Sequence, residues 1–189
     1  MIAAACIHNI GEYSGAYVVH MGEINDIGGI SLSLFLGMAM ITLKLWQLAD
    51  ERFAQGVPCK PGLKELLSTL EDLGMPRIVA SSSPRNMIEM NLQTSGTARY
   101  FHDVVSGTEV ARSKPAPDTF LLAAEKLHTN PKDCLVLEDS FNGVRAGHAA
   151  GCVTVMVPDL SPATDEMRRI YTCECASLHE VRRKLEHGE

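Results

Sequence analysis

Leu135-Val136-Leu137-Glu138-Asp139-Ser140 is a short apolar run that ends on two adjacent carboxylates and a hydroxyl. A run this short and continuously apolar is expected to be a strand buried on both faces, as in parallel sheets covered by helices. A helix follows, with Val144, Ala146, Ala149 and Ala150 on one side and Gly151 at its end. The same strand-then-helix pattern recurs outward from this point. Upstream, Ile78-Val79-Ala80 runs into Ser81-Ser82-Ser83-Pro84, where Ser83 is expected to cap a helix that Pro84 begins. Residues 103–106 form another short strand, and residues 117–127 a helix with Asp118 in its first turn. Downstream, residues 153–157 are the last clear strand. Two short helices close the chain, the second opened by a Ser177…Glu180 capping box. The expected fold is therefore α/β: a Rossmann-like parallel sheet with helices on both faces. Ligands of such sheets sit beyond the carboxyl ends of the strands. Those ends carry Ser81, Glu138 with Asp139, and Asp159.

Further toward the N-terminus, Leu63, Leu66, Leu67 and Leu70 mark an amphipathic helix closed near Gly74. Before it, Val57-Pro58-Cys59-Lys60-Pro61-Gly62 reads as a turn. Residues 44–55 read as a helix with Leu45, Leu48, Ala49 and Phe53 on one face, stopped by Gly56. The character of the chain then changes. All 17 Lys and Arg residues lie from Lys44 onward, and residues 1–43 carry only Glu12, Glu23 and Asp26 as charges. The chain accordingly divides into a divergent or truncated N-terminal segment, residues 1–56, and an α/β core, residues 57–189.

Composition bounds the function. The 189 residues suit one domain with a small appendage, and 46% apolar content can fill a sizeable core. A net charge of -6 argues against nucleic acid as a partner. Six scattered cysteines are far too sparse for a disulfide scaffold and point to free thiols in a reducing cytoplasm. Cys173 and Cys175, with His179 and His187 nearby, could be taken for a metal cluster, but zinc pairs are more often spaced two to four residues apart. The uncharged stretch 27–43 is at the lower limit for a membrane span and contains Gly28, Gly29 and Gly37. It reads better as a buried or interface helix, which leaves room for self-association.

Three features could carry chemistry. Glu138 and Asp139 would repel each other unless a cation lies between or beside them. Mg2+ answers this, because it takes carboxylate oxygen and keeps open positions for a phosphate; the plainer alternative is one capping carboxylate and one solvated one. Ser81 stands before a helix N-terminus, where a hydroxyl and free N–H groups can cradle an anion or simply cap the turn. Lys114 lies in Arg112-Ser113-Lys114-Pro115-Ala116-Pro117-Asp118, where two prolines can fix its ammonium; a lone lysine is otherwise solvated. Together, on different loops at one sheet edge, they form a constellation for phosphoryl chemistry.

These pieces, in this order, resemble the haloacid dehalogenase superfamily, in the branch of phosphoglycolate-phosphatase-like and β-phosphoglucomutase-like enzymes. The resemblance rests on the segment 57–62 before its Leu-rich helix, Val79-Ala80-Ser81-Ser82-Ser83, Ser113-Lys114-Pro115-Ala116-Pro117-Asp118, Leu135 to Ser140, and Asn142-Gly143-Val144-Arg145-Ala146-Gly147. It implies a Mg2+-dependent phosphohydrolase acting on a small phosphorylated metabolite, or a sugar-phosphate mutase. By resemblance, Ser81 and Lys114 are the catalytic residues, with Ser81, Ser82 and Lys114 on the phosphate and Glu138 and Asp139 on Mg2+. The family's Asp-x-Asp nucleophile motif is missing. Residues up to about 55 would correspond to a remnant of the helical cap. The family's first strand lies between the strands ending at Ser81 and Asp139, and its place would be filled by residues 16–21, by a neighbouring chain, or by nothing. Without a nucleophile the chain could instead be a non-catalytic phosphate- and Mg2+-binding regulatory module.

Overall fold

The computed structural model describes residues 4–7, 59–159 and 161–188. Among these residues six strands form one sheet: β1 (Ala4–Ile7), β2 (Arg77–Ser81), β3 (Asp103–Ser106), β4 (Cys134–Glu138), β5 (Val153–Met156) and β6 (Cys173–Glu174). Their order is β3-β2-β1-β4-β5-β6 and every pairing is parallel. The helices between them are α1 (Leu63–Asp72), α2 (Arg85–Thr94), α3 (Asp118–Lys126), α4 (Phe141–Ala149), α5 (Met167–Ile170) and α6 (Leu178–His187). Successive strands run outward from β1 in one direction to β3, then restart at β4 on its other side. That reversal is the switch point at which open α/β sheets bind ligands.

The alternation of side chains along β4 divides the core. Leu135 and Leu137 face α1 and α6, whose Leu63, Leu66, Leu67, Leu70, Leu178 and Val181 fill one side of the sheet. Val136 faces the other way, with Ile78, Ala80 and Val105, onto Phe120 and Ala123 of α3 and Ala146 of α4. α2 covers Val79 and Val104 through Ile88 and Leu92. Strands buried on both faces have no polar side, which is why they read as continuous apolar runs.

Three expectations are corrected. The strand between β2 and β4 is Ala4–Ile7, not residues 16–21: Ala5 pairs with Arg77 on one side and Leu135 on the other. The sheet thus takes its central strand from within residues 1–56. The predicted helix 44–55, the apolar stretch 27–43, residues 16–21 and the cap remnant lie outside the described residues. Second, Ser83 does not cap α2. Pro84 holds the N-cap position with an extended backbone (φ -59, ψ 147), and its carbonyl receives the first helical N–H groups, from Met87 and Ile88. Third, Cys173–Glu174 forms an edge strand the sequence reading left out.

Candidate functional site

Because all strands are parallel, the carboxyl ends of β2, β4 and β5 open on one edge of the sheet. Ser81 ends β2 and is buried. Its hydroxyl accepts a hydrogen bond from the Ser83 N–H (3.2 Å), which folds the loop before α2 into a tight turn. Its carbonyl accepts from the Gly107 N–H at 2.6 Å, tying this loop to the one after β3. Gly107 must be glycine, since a Cβ there would stand 2.9 Å from the Ser82 Cα. Ser82 is exposed at the tip, and the Ser113 hydroxyl donates to its oxygen at 3.4 Å. The serine loop and the lysine loop therefore touch.

Lys114 is held tightly. Its side chain is 2% exposed, and its Nζ donates to the Ala80 carbonyl at 3.1 Å and to Glu138 Oε1. The ammonium also lies 4.4 Å from the centre of the Phe120 ring. The solvated alternative for this lysine is excluded. Lys114 joins β2 to β4 across the central strand.

Glu138 ends β4 with a fully buried side chain. One carboxylate oxygen receives Lys114; the other receives the Ser140 hydroxyl at 3.0 Å. Ser140 is also the N-cap of α4, its oxygen accepting from the Gly143 N–H at 3.0 Å. The glutamate fits only because residue 143 has no side chain: a Cβ on Gly143 would overlap its carboxyl group. The spacing of Glu138, Ser140 and Gly143 is thus one packing unit.

Asp139, with a side chain 3% exposed, has a different cation. Its Oδ2 accepts from Lys60 Nζ at 3.0 Å, and the same ammonium reaches Asp159 Oδ2 at 3.1 Å, beyond β5. Burial works against the Lys60 charge, but Asp139 foremost and then Asp159 hold its pKa above the ordinary lysine value. The repulsion expected between the adjacent carboxylates is answered by two lysines, one for each. Lys60 is the residue that sequence reasoning passed over as part of a turn. Its signal was a lysine two residues before Gly62, whose positive φ of 85° turns the chain into α1.

The donor set fits a hard cation. Asp139 and Asp159 present carboxylate oxygen and already hold an ammonium between them, a stand-in of the correct charge sign. Among the described residues no group of three or more His, Cys, Asp and Glu side chains forms a metal cage, at Cys173 and Cys175 or elsewhere. Mg2+ sites built from one or two carboxylates, water and phosphate do not need one.

A family model described as haloacid dehalogenase-like hydrolase matches residues 39–151, and a sodium/glutamate symporter model matches residues 1–54. The chain is 43% identical to a bifunctional riboflavin kinase/FMN phosphatase of Arabidopsis thaliana, over 55% of its own length and 28% of the relative. It is 44% identical to a probable pseudouridine-5'-phosphatase of Drosophila melanogaster, over 52% of its length and 46% of the relative. Among solved structures it resembles CbbY from Rhodobacter sphaeroides in complex with phosphate, at 27% identity and a TM-score of 0.60, covering 65% of this chain and 56% of that one. The chain thus spans about half or less of these two curated relatives.

Proposed function

The chain belongs to the haloacid dehalogenase-like hydrolase family, and we propose that it is a phosphohydrolase acting on a small phosphorylated metabolite. The observation that carries this is the position of Lys114, pinned between the carbonyl at the end of β2 and the carboxylate at the end of β4. It brings the serine turn, a buried cation and the acidic pair to one edge. In this reading Ser81 and Ser82 bind the phosphoryl oxygens with the loop's backbone N–H groups, and Lys114 neutralises their charge. Glu138 positions Lys114. Asp139 holds Mg2+, with Glu138 beside it, and the metal when bound offsets phosphate charge. Among the described residues the carboxylates of Glu138, Asp139 and Asp159 at this edge outnumber the ammonium groups of Lys60 and Lys114, which is consistent with a metal. A phosphate dianion entering there needs a further cation.

The test is phosphate release from a panel of small phosphomonoesters, with and without Mg2+. The expected result is release above a blank with Mg2+ that falls at least about 100-fold in Lys114→Ala. No release by the folded protein would overturn the hydrolytic reading.

One observation favours a second reading, a non-catalytic phosphate and Mg2+ receptor. Covalent phosphoryl transfer needs a nucleophile near phosphorus, and after Ala4–Ile7 the sequence continues His8-Asn9-Ile10-Gly11 with no aspartate. This reading predicts Mg2+-dependent thermal stabilisation by phosphate without turnover. Stabilisation that survives Lys114→Ala and Asp139→Ala together would count against it.

A further inference from the structure

We propose that Lys60 is a built-in cation that competes with the divalent metal for Asp139 and is passed to Asp159 when the metal binds. The inference rests on the reading of Asp139 as a metal ligand. Its ground is the bridging geometry: one ammonium lies 3.0 Å from Asp139 Oδ2 and 3.1 Å from Asp159 Oδ2. The two carboxylates are not equivalent. Asp139 is 3% exposed and Asp159 39%, while Lys60 at 21% stands between them. A lysine ammonium is a compact point charge on a flexible stem, so it can leave the inner carboxylate and keep the outer one. A cation reaching Asp139 has to displace Lys60 from the same oxygen. The Asp159 contact lowers the cost of that displacement, because the ammonium retains a partner at the surface.

The segment is built to hold the lysine there. Lys60 and Pro61 precede Gly62, whose left-handed backbone starts α1, and Lys60 O accepts from the Leu63 N–H at 3.1 Å. α1 is in turn anchored by Leu63, Leu66 and Leu67 in the core. The backbone at Lys60 is thus anchored, while the flexible stem of a lysine lets its ammonium move between neighbouring carboxylates. It acts as a positioning residue that sets metal affinity and spares the protein an uncompensated acidic edge when metal is scarce.

The experiment is calorimetric titration of Mg2+ into the wild-type chain, Lys60→Met and Lys60→Gln, with unfolding curves for each. The expected result is Mg2+ binding about five- to tenfold tighter in both variants than in wild type. Equal or weaker binding by the folded variants, with wild type binding normally, overturns the role of Lys60 and leaves Asp139 as a ligand. Absence of binding in all three proteins overturns the metal reading itself. If neither variant folds, amine labelling of the wild type decides: Mg2+ should increase the labelling rate of Lys60, and an unchanged or lower rate overturns the proposal.

Discussion

Burying Glu138 and Asp139 side by side costs several kcal/mol per charge unless each is paired, and Lys114 and Lys60 provide the partners. Removing one partner of a buried pair is worse than removing both. Lys114→Ala should therefore destabilise the protein by about 3–5 kcal/mol in urea unfolding, with the Lys114→Met/Glu138→Leu double variant recovering part of the loss. A loss below 1 kcal/mol would contradict the burial of this pair. Glu138, Asp139 and Lys114 were legible in the sequence as types, but Lys60 was not, and neither was the pairing. Lys60 meets Asp139 across 79 positions, and no local pattern reports such a contact. Among the described residues Cys134 and Cys175 are buried free thiols and Cys152 is half-buried. Burial, with Cys134 nearby, pushes the Cys152 thiol up to about 12, and burial with Cys173 alongside does the same to Cys175. Both should resist iodoacetamide at pH 8 in the native state, as peptide mass spectrometry would show.

At the scale of the element, α4 owes its start to one hydroxyl and its fit to one missing methyl. Ser140→Ala removes the N-cap and the bond to Glu138, and should cost about 1–2 kcal/mol. Gly143→Ala is the more severe change. The added Cβ would drive the Glu138 carboxyl off Lys114, and about 3 kcal/mol is expected by thermal unfolding. If Gly143→Ala proved neutral, the packing of Glu138 against α4 would be wrong. Elements marked by apolar runs and by Gly or Pro punctuation were readable: β3 falls on the expected residues, and β2, β4, α1 and α3 within one or two of them. Ala4–Ile7 was missed because Ala-Ala-Cys-Ile carries little strand propensity and no turn signal marks it. β6, two residues long, is below what any periodicity can reveal.

For the whole molecule, the sheet order places β1 between β2 and β4, so the serine turn and the acidic pair are brought together by a strand whose sequence hardly announces itself. Away from the site, Arg85 ties α2 to the loop after β3 through Glu109, and Lys126 ties α3 to Asp103. The Arg85 guanidinium holds the Glu109 carboxyl below its ordinary value of 4.5. At Asp103 partial burial works against the charge, but Lys126, the Val104 N–H and Arg85 hold it below 3.8. Depressed carboxyls stabilise the fold above their unfolded values and lose that contribution as pH falls through the folded ones. Glu109→Gln should thus cost about 0.5–1 kcal/mol at neutral pH. The gap to wild type should begin to close near pH 4.5 and disappear below it. Among the described residues no helix is long and apolar enough to cross a membrane. The most direct test of the account is calorimetric binding of inorganic phosphate in the presence and absence of Mg2+. The site described here predicts binding to the wild type that strengthens with Mg2+ and is lost in Lys114→Met and Asp139→Asn. Phosphate binding that ignores both Mg2+ and these substitutions, or no binding to the folded protein, would contradict it.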